Sequence, residues 1–537
     1  VTANLSELVT QAAAQSPEGT ALVAGEGGDT LTWAELEDAV ARCAAGLAGR
    51  GLVAGNRVAL AVGNRVELVV LYLAALRARL VAVPVNPRSA TGELLRIVAD
   101  SGARVLVADA TTVDPARAVV TGLREALHRG ESPAAGGAAP RLVVLDSAVT
   151  GDEIGYDELL AAEPADLPLA RDAEAIAVLL YTSGTSGRPR AAMLSHRALL
   201  ANIDQAGRVE PPMVGPDDVV YGVLPLFHVY GLNAVLGQVL ARGATVVLVD
   251  GFDVEASLRQ VQQHGVTVLP VAPPVLQAWR QVPDLGERLA GVRTVMSGSA
   301  PLSADVIEDY ATRVGVTVHQ GYGLTETAPV LTSTLCSHGD VTAKRGSVGA
   351  PLPGVELRLV DDDGRSPETG DPGEIEVRGA NLFSGYWPDA SEGPGKDGWW
   401  ATGDVGILDG EGDLFLVDRV KELIIVSGFN VYPSEIEEVL TELPEVSEAV
   451  VLGVPDERTG EAVVAYVRLA DEAAADEDAT LKRARQHAET RLARFKWPSY
   501  VEVVEEVPRT VTGKVARGRL RARLRRTGSS RVPGVLE

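Results

Sequence analysis

The stretch Tyr181-Thr182-Ser183-Gly184-Thr185-Ser186-Gly187-Arg188-Pro189-Arg190 follows an apolar run at 176–180 and leads to a helical pattern beginning near Ser195. A short apolar run that stops at a Gly/Ser/Thr cluster predicts a buried strand ending in a loop. Such a loop, placed between strand and helix, can wrap backbone N–H groups and hydroxyls round phosphate oxygens. Gly184 and Gly187 let the backbone approach closely. Thr182, Ser183, Thr185 and Ser186 supply neutral donors, and Arg190 adds a fixed positive charge. The spacing G-x-x-x-x-G-K-[ST] is absent, so this is a different phosphate-binding design. A Gly/Ser/Thr run alone is more often an ordinary loop; the strand before it and the cation after it favour phosphate.

Outward from the loop, strand-like and helix-like segments alternate. Strands are predicted at 57–62, 80–85, 104–108, 175–181, 218–224, 245–248, 266–271 and 294–297, with helices at 66–78 and 91–100 between the first of them. That alternation is the signature of an α/β fold with largely parallel sheets. After about Gly349 the strands become short and are separated by Gly/Asp turns, which reads as a small antiparallel or distorted-barrel subdomain. The α/β pattern returns beyond 418–421, with a helix at 434–443 and strands near 449–454 and 463–469. The expected organisation is an N-terminal domain at 1–417, a hinge at 418–421 and a small C-terminal domain at 422–537.

Bulk properties narrow the function classes. A chain of 537 residues exceeds one ordinary core. Its net charge of -24 disfavours nucleic acid and anionic membrane as partners. The arginines at 517–526 read as a solvated helix face rather than a phosphate contact. Two isolated cysteines, Cys43 and Cys336, support neither a disulfide framework nor a zinc site. The segment 66–85 is interrupted by Arg77 and Arg79 and closed by Pro84, so it reads as a buried helix and strand, with no integral membrane segment. The N-terminus has no basic lead or apolar core of signal type, and the expected location is cytoplasmic.

Three further clusters point the same way as the loop. Gln320-Gly321-Tyr322-Gly323-Leu324-Thr325-Glu326 follows a predicted strand ending near His319, and closes on a hydroxyl and a carboxylate suited to phosphate and Mg²⁺. Thr402-Gly403-Asp404 offers a carboxylate that can accept both hydroxyls of a ribose. Pro508-Arg509-Thr510-Val511-Thr512-Gly513-Lys514 presents one lysine from a glycine turn. Each alone is weak, since acidic Gly turns and lysines are mostly solvated surface.

In this order and together, the motifs resemble the adenylate-forming superfamily of acyl-CoA synthetases, peptide-synthetase adenylation domains and beetle luciferases, from about Leu31 to about Leu520. The chain is most similar to bacterial medium- and long-chain fatty acyl-CoA synthetases at Leu224-Pro225-Leu226-Phe227-His228-Val229-Tyr230-Gly231-Leu232 and at Ser427-Gly428-Phe429-Asn430-Val431-Tyr432-Pro433. The resemblance implies two α/β subdomains plus a distorted β-barrel in the large domain, with a small mobile α+β C-terminal domain. It implies ATP, Mg²⁺ and coenzyme A as cofactors. Thr182 to Gly187 would cradle the β- and γ-phosphates, with Thr185 and Glu326 at the metal. Ser299, Ala300 and Pro301 with Gln320, Gly321 and Tyr322 would flank the adenine, and Thr325 would contact the α-phosphate. Asp404 would grip the ribose with Arg419 close by, and Lys514 would bridge the substrate carboxylate and the α-phosphate. Lys421 would be the hinge, Ser427 and Gly428 would lie by the pantetheine tunnel, and His228 would gate or line the acyl pocket.

The chemistry suits these residue types. A carboxylic acid with a pKa of about 4 is ionised at neutral pH, so its attack on the α-phosphate needs no general base. Positioning and charge neutralisation do the rest. Two departures stand out: Arg190-Ala191 replaces the family's usual Lys-Gly, and Ile425 stands where plant ligases and luciferases have lysine. His228 replaces the aspartate that holds an amino group in peptide-synthetase domains, and Ala278 stands near the arginine of malonate-activating relatives. A hydrophobic monocarboxylate is expected, a medium- or long-chain fatty acid first and an aryl acid second. Residues 344–359 run without the insertion typical of ligases that serve carrier proteins. That favours free coenzyme A over a carrier-protein thiol. A low-activity nucleotide-binding paralogue is the remaining class, disfavoured by the joint presence of Asp404, Arg419 and Lys514.

Overall fold

A computed structural model describes residues 2–520 apart from 26, 132–136, 166, 168–170, 183–189, 301, 340–343, 362, 420–421, 427–428, 457–458, 471–476, 493, 511–513 and 518; at 418, 419, 425, 429, 430 and 460 it describes the backbone alone. The protein is mixed α/β. It divides into two compact units, Val1–Glu356 with Arg378–Trp400, and Leu357–Val377 with Ala401–Glu537.

The first unit holds two sheets. The seven-stranded one runs Ile154–Gly155, Arg141–Val144, Val105–Ala108, Arg57–Ala61, Val81–Pro84, Ile176–Thr182 and Arg190–Ser195, in spatial order. Its pairings are parallel except the last. The nine-stranded sheet has a parallel centre built from Val318–Gly323, Thr294–Ser297, Val268–Val271, Val219–Gly222, Thr245–Leu248 and Thr20–Ala24, with antiparallel strands at both edges.

Helix Val66–Arg77 explains how the two sheets share a core. It is apolar all round, and every side chain from Leu68 to Leu76 is buried. A helix of that kind must be covered on all sides, and it belongs to one cluster with Leu60 of the first sheet and Leu22 and Val246 of the second. Arg77 ends it with an ion pair to Glu37 at 2.7 Å. Among the described residues no helix is long and apolar enough to cross a membrane. Cys43 is buried in the same cluster, and burial pushes its thiol up to about 12.

The region expected as a distorted barrel shows a four-stranded sheet, ordered Glu356–Val360, Gly373–Arg378, Trp400–Leu408, Leu414–Arg419, among the described residues. The rest of the second unit is a five-stranded sheet in which Gly460–Leu469 is central, antiparallel to Val446–Asp456 and parallel to Tyr500–Val503. Helices Pro433–Thr441 and Glu477–Arg491 bring Ile436, Leu440, Ala484 and Ala488 into its core.

Candidate active site

The loop that opened the sequence reading joins two antiparallel strands. Thr182 lies opposite Arg190 at the end of the ladder between Ile176–Thr182 and Arg190–Ser195. The expected strand–loop–helix order is therefore corrected. Helix His196–Gly207 begins only at the far end of the second strand, where Ser195 accepts from Ala198 N–H at 3.2 Å. Six strand residues separate that helix from the loop, about 20 Å. Ser183, Gly184, Thr185, Ser186 and Gly187 themselves lie outside the described residues.

Arg190 is held on two sides. Its guanidinium lies over the Tyr386 ring, 3.8 Å from the centroid, and Nη1 donates to Glu392 Oε2 at 2.9 Å. Tyr386 Oη in turn donates to the Glu326 carboxylate at 2.7 Å. Arg190 and Glu326, which the sequence treats as separate motifs, thus share one aromatic neighbour. Glu326 is buried beside Thr325 in the short helix Thr325–Thr327. Among the described residues no group of three or more His, Cys, Asp or Glu could hold a metal. One carboxylate suits Mg²⁺ that arrives with substrate phosphates, since that ion keeps waters and needs few protein ligands.

The segment behind Glu326 is fixed by buried amides from three distant elements. Asn381 Nδ2 donates to Thr327 O at 2.8 Å, Asn233 Nδ2 to Ala328 O at 2.6 Å, and Asn202 Nδ2 to Val330 O at 2.7 Å. Buried backbone groups need such partners wherever a loop leaves the sheet. Sequence reasoning missed these asparagines, and it also missed Tyr386. Each asparagine looked like one polar residue in an apolar segment. The aromatic pair Tyr386-Trp387, set in a Gly/Asp-rich stretch, was the available signal for the tyrosine.

Gln320, Gly321 and Tyr322 lie within strand Val318–Gly323, which continues past His319 rather than ending there. Gln320 is tied into the scaffold: its N–H donates to Thr334 Oγ1 at 3.0 Å and its Nε2 to Ser347 O at 3.3 Å. At Gly323 a Cβ would sit 1.8 Å from Pro329 O, so no side chain fits. Ser299 adopts φ 75°, and Ala300 beside it is half-buried; Pro301 lies outside the described residues. At Gly298 a Cβ would meet the Tyr230 ring at 2.9 Å. Tyr230 opens the π-helical stretch Tyr230–Gly237. His228, half-buried two residues earlier, packs on Phe227 with ring centroids 4.6 Å apart. Asn64 sets the approach to this pair, donating to Gly222 O at 3.1 Å and Leu224 O at 2.8 Å and accepting from Leu226 N–H at 2.9 Å.

In the second unit Asp404 is buried and lies opposite Arg419 in the ladder between Trp400–Leu408 and Leu414–Arg419. Its N–H donates to Thr402 Oγ1 at 3.1 Å. Glu374 accepts from the Gly403 N–H, and burial holds its carboxyl above the usual range. Lys514 is exposed; Thr510 N–H donates to Lys514 O at 2.7 Å and Lys514 N–H to Thr510 Oγ1 at 3.1 Å. Just beyond it, Arg517 pairs with Glu422 and, at 2.6 Å, with Glu437. Lys421, Ser427 and Gly428 lie outside the described residues.

Comparison with known proteins gives matches along nearly the whole chain. Residues 9–387 match the family described as AMP-binding enzyme, and residues 435–514 match the AMP-binding enzyme C-terminal domain. The chain is 37% identical over 519 residues to feruloyl-CoA synthase of Amycolatopsis sp, covering 95% of this chain and 97% of that one. It is 34% identical over 512 residues to 4-coumarate–CoA ligase 3 of Oryza sativa subsp. japonica, covering 94% and 89%. The crystal structure of ATP-bound MatB from Rhodopseudomonas palustris superposes with a TM-score of 0.85 at 33% identity, over 97% of this chain and 99% of that one.

Proposed function

The chain belongs to the AMP-binding enzyme family as an AMP-forming acid–CoA ligase, and from that premise we propose that its acid is a hydrophobic aromatic monocarboxylate. The carboxylate oxygen attacks the α-phosphorus of ATP and pyrophosphate leaves. The sulfur of coenzyme A then attacks the acyl carbon of the mixed anhydride and AMP leaves. ATP, Mg²⁺ and coenzyme A are the cofactors.

The observation that carries the choice of acid is the contact between Gly298 and Tyr230. The Tyr230 ring packs so closely on Gly298 that a Cβ there would meet it at 2.9 Å; a glycine that admits an aromatic ring beside Ser299-Ala300 supports a flat substrate over a folded alkyl chain. The names of the two relatives, a feruloyl-CoA synthase and a 4-coumarate–CoA ligase, support the same order. This reverses the expectation that put a fatty acid first. His228 and Ala278 offer no carboxylate partner for an amino group and no cation for a second carboxylate.

Roles within the reaction follow the residue chemistry. Arg190 and the hydroxyls before it neutralise the leaving pyrophosphate, and Glu326 takes the Mg²⁺. Asp404, opposite Arg419, accepts the ribose hydroxyls. Lys514 bridges carboxylate and α-phosphate. The small domain at 422–537 turns about Lys421 between half-reactions, because Lys514 and the tunnel residue Gly428 lie on it together and serve different steps.

Acid-dependent pyrophosphate release tests the substrate class, using cinnamic and benzoic acids, fatty acids of several lengths, malonate and amino acids. The highest kcat/KM is expected with a phenylpropenoic acid. A maximum at a fatty acid overturns the aromatic reading, and a maximum at malonate or an amino acid overturns the hydrophobic one.

A further inference from the structure

We propose that Tyr386 is a positioning residue for ATP use, joining the Arg190 cation and the Glu326 carboxylate into one unit. The inference rests on the reading above that these two groups serve the triphosphate and its metal. Tyr386 holds Glu326 Oε1 through its hydroxyl at 2.7 Å and carries Arg190 on its ring at 3.8 Å. The segment around it grips both partners a second time. Phe383 N–H donates to Glu326 O at 2.8 Å, and Trp400 Nε1 donates at 3.0 Å to the carbonyl of Glu392, whose carboxylate pairs with Arg190.

The ring cannot drift. Phe383 meets it edge-on at 5.1 Å, and Phe383 is met in the same way by Trp400. The backbone on either side is sewn to strand Arg190–Ser195 by Ser384 N–H to Met193 O at 2.9 Å and Trp387 N–H to Ala191 O at 2.9 Å. The arrangement also accounts for arginine at position 190. A planar guanidinium can stack on a ring while its fork pairs with a carboxylate, whereas an ammonium is a compact point charge without that flat, forked surface.

The test uses the full chain and α,β-methylene-ATP with Mg²⁺, measured by titration calorimetry, with melting temperature recorded for every variant. Tyr386→Phe keeps the ring and loses the hydroxyl, and nucleotide affinity is expected to fall about tenfold, the scale of a hydrogen bond to a charged group, with melting almost unchanged. Glu326→Ala is expected to lose as much, and the double variant Tyr386→Phe/Glu326→Ala to be no worse than Glu326→Ala alone. Arg190→Lys is expected to cost affinity in the wild-type background and little beside Tyr386→Leu. Affinity of Tyr386→Phe within twofold of wild type, while Glu326→Ala is weakened, overturns the proposal; so do losses that multiply in the double variant. If Glu326→Ala and Arg190→Ala both bind like wild type, the assignment of the ATP site falls, and the inference with it.

Discussion

Asn202 holds Val330 by both of its backbone groups: Val330 N–H donates to Asn202 Oδ1 at 3.0 Å, and Asn202 Nδ2 donates to Val330 O at 2.7 Å. One amide from helix His196–Gly207 thereby replaces two ladder bonds where the chain returns from Thr325-Glu326 into the strand Val330–Ser333. Asn202→Leu leaves both groups without that partner. The expected cost is about 2 kcal/mol, read as a lower urea midpoint with an unchanged slope. Because Val330 borders the segment that carries Glu326, KM for ATP is expected to rise as well.

His196 gives the fold a pH dependence. It is 2% exposed, its Nδ1 accepts from Leu5 N–H at 3.2 Å, and burial lowers its pKa to about 4. In the unfolded chain the value returns to about 6.5. Between those values the unfolded state binds the extra proton, so stability rises with pH there. The contribution is complete above about pH 6.5 and is lost as pH falls toward 4, about 3 kcal/mol in all. Urea unfolding at pH 7.5 and pH 4.5 is expected to show a smaller pH difference for His196→Gln than for wild type. An equal difference removes His196 as the cause.

The sequence allowed the α/β alternation to be read because each strand is a compact apolar run: 245–248 and 294–297 coincide with the observed strands Thr245–Leu248 and Thr294–Ser297. Strand Arg190–Ser195 escaped because Ala191-Ala192-Met193 has no β-branched residue and sits between a glycine loop and a helix cap. The family resemblance put Arg419 close to Asp404, and the ladder pairs the two positions. Tyr386 was not legible. Its hydroxyl reaches a carboxylate 60 positions away and its ring an arginine 196 positions away, and no local pattern encodes such distances. The asparagines at 202, 233 and 381 failed for the same reason. Their backbone partners show up only after the strands have been assembled.

Gly298→Ala is expected to reduce acid use selectively. The new Cβ meets Tyr230 Cε1 at 2.9 Å, and the ring must shift into the proposed substrate slot. Overpacking of this kind costs about 1–3 kcal/mol, so kcat/KM for an aromatic acid should fall roughly ten- to hundredfold while KM for ATP changes little. A parallel loss in both substrates would show that the slot is not where the acid binds.

Lys514→Ala is expected to separate the two half-reactions. Acyl-adenylate formation should drop by about a hundredfold or more, the usual effect of removing one preorganised charge from a phosphoryl transition state. Thioester formation from supplied acyl-adenylate should stay near wild type. Single-turnover measurement of each step decides it, and adenylation within about threefold of wild type would dismiss the role.

The most direct measurement is the identity of the products. The full chain is incubated with ATP, Mg²⁺, coenzyme A and a phenylpropenoic acid, nucleotides are separated by chromatography, and the thioester is weighed by mass spectrometry. AMP, pyrophosphate and acyl-CoA are expected in equal amounts; without coenzyme A, pyrophosphate should stop at about one per protein as the mixed anhydride, with AMP still attached, stays bound. Release of ADP and phosphate in place of AMP, or acid-dependent AMP with no thioester formed, would contradict the assignment of this chain as an AMP-forming acid–CoA ligase.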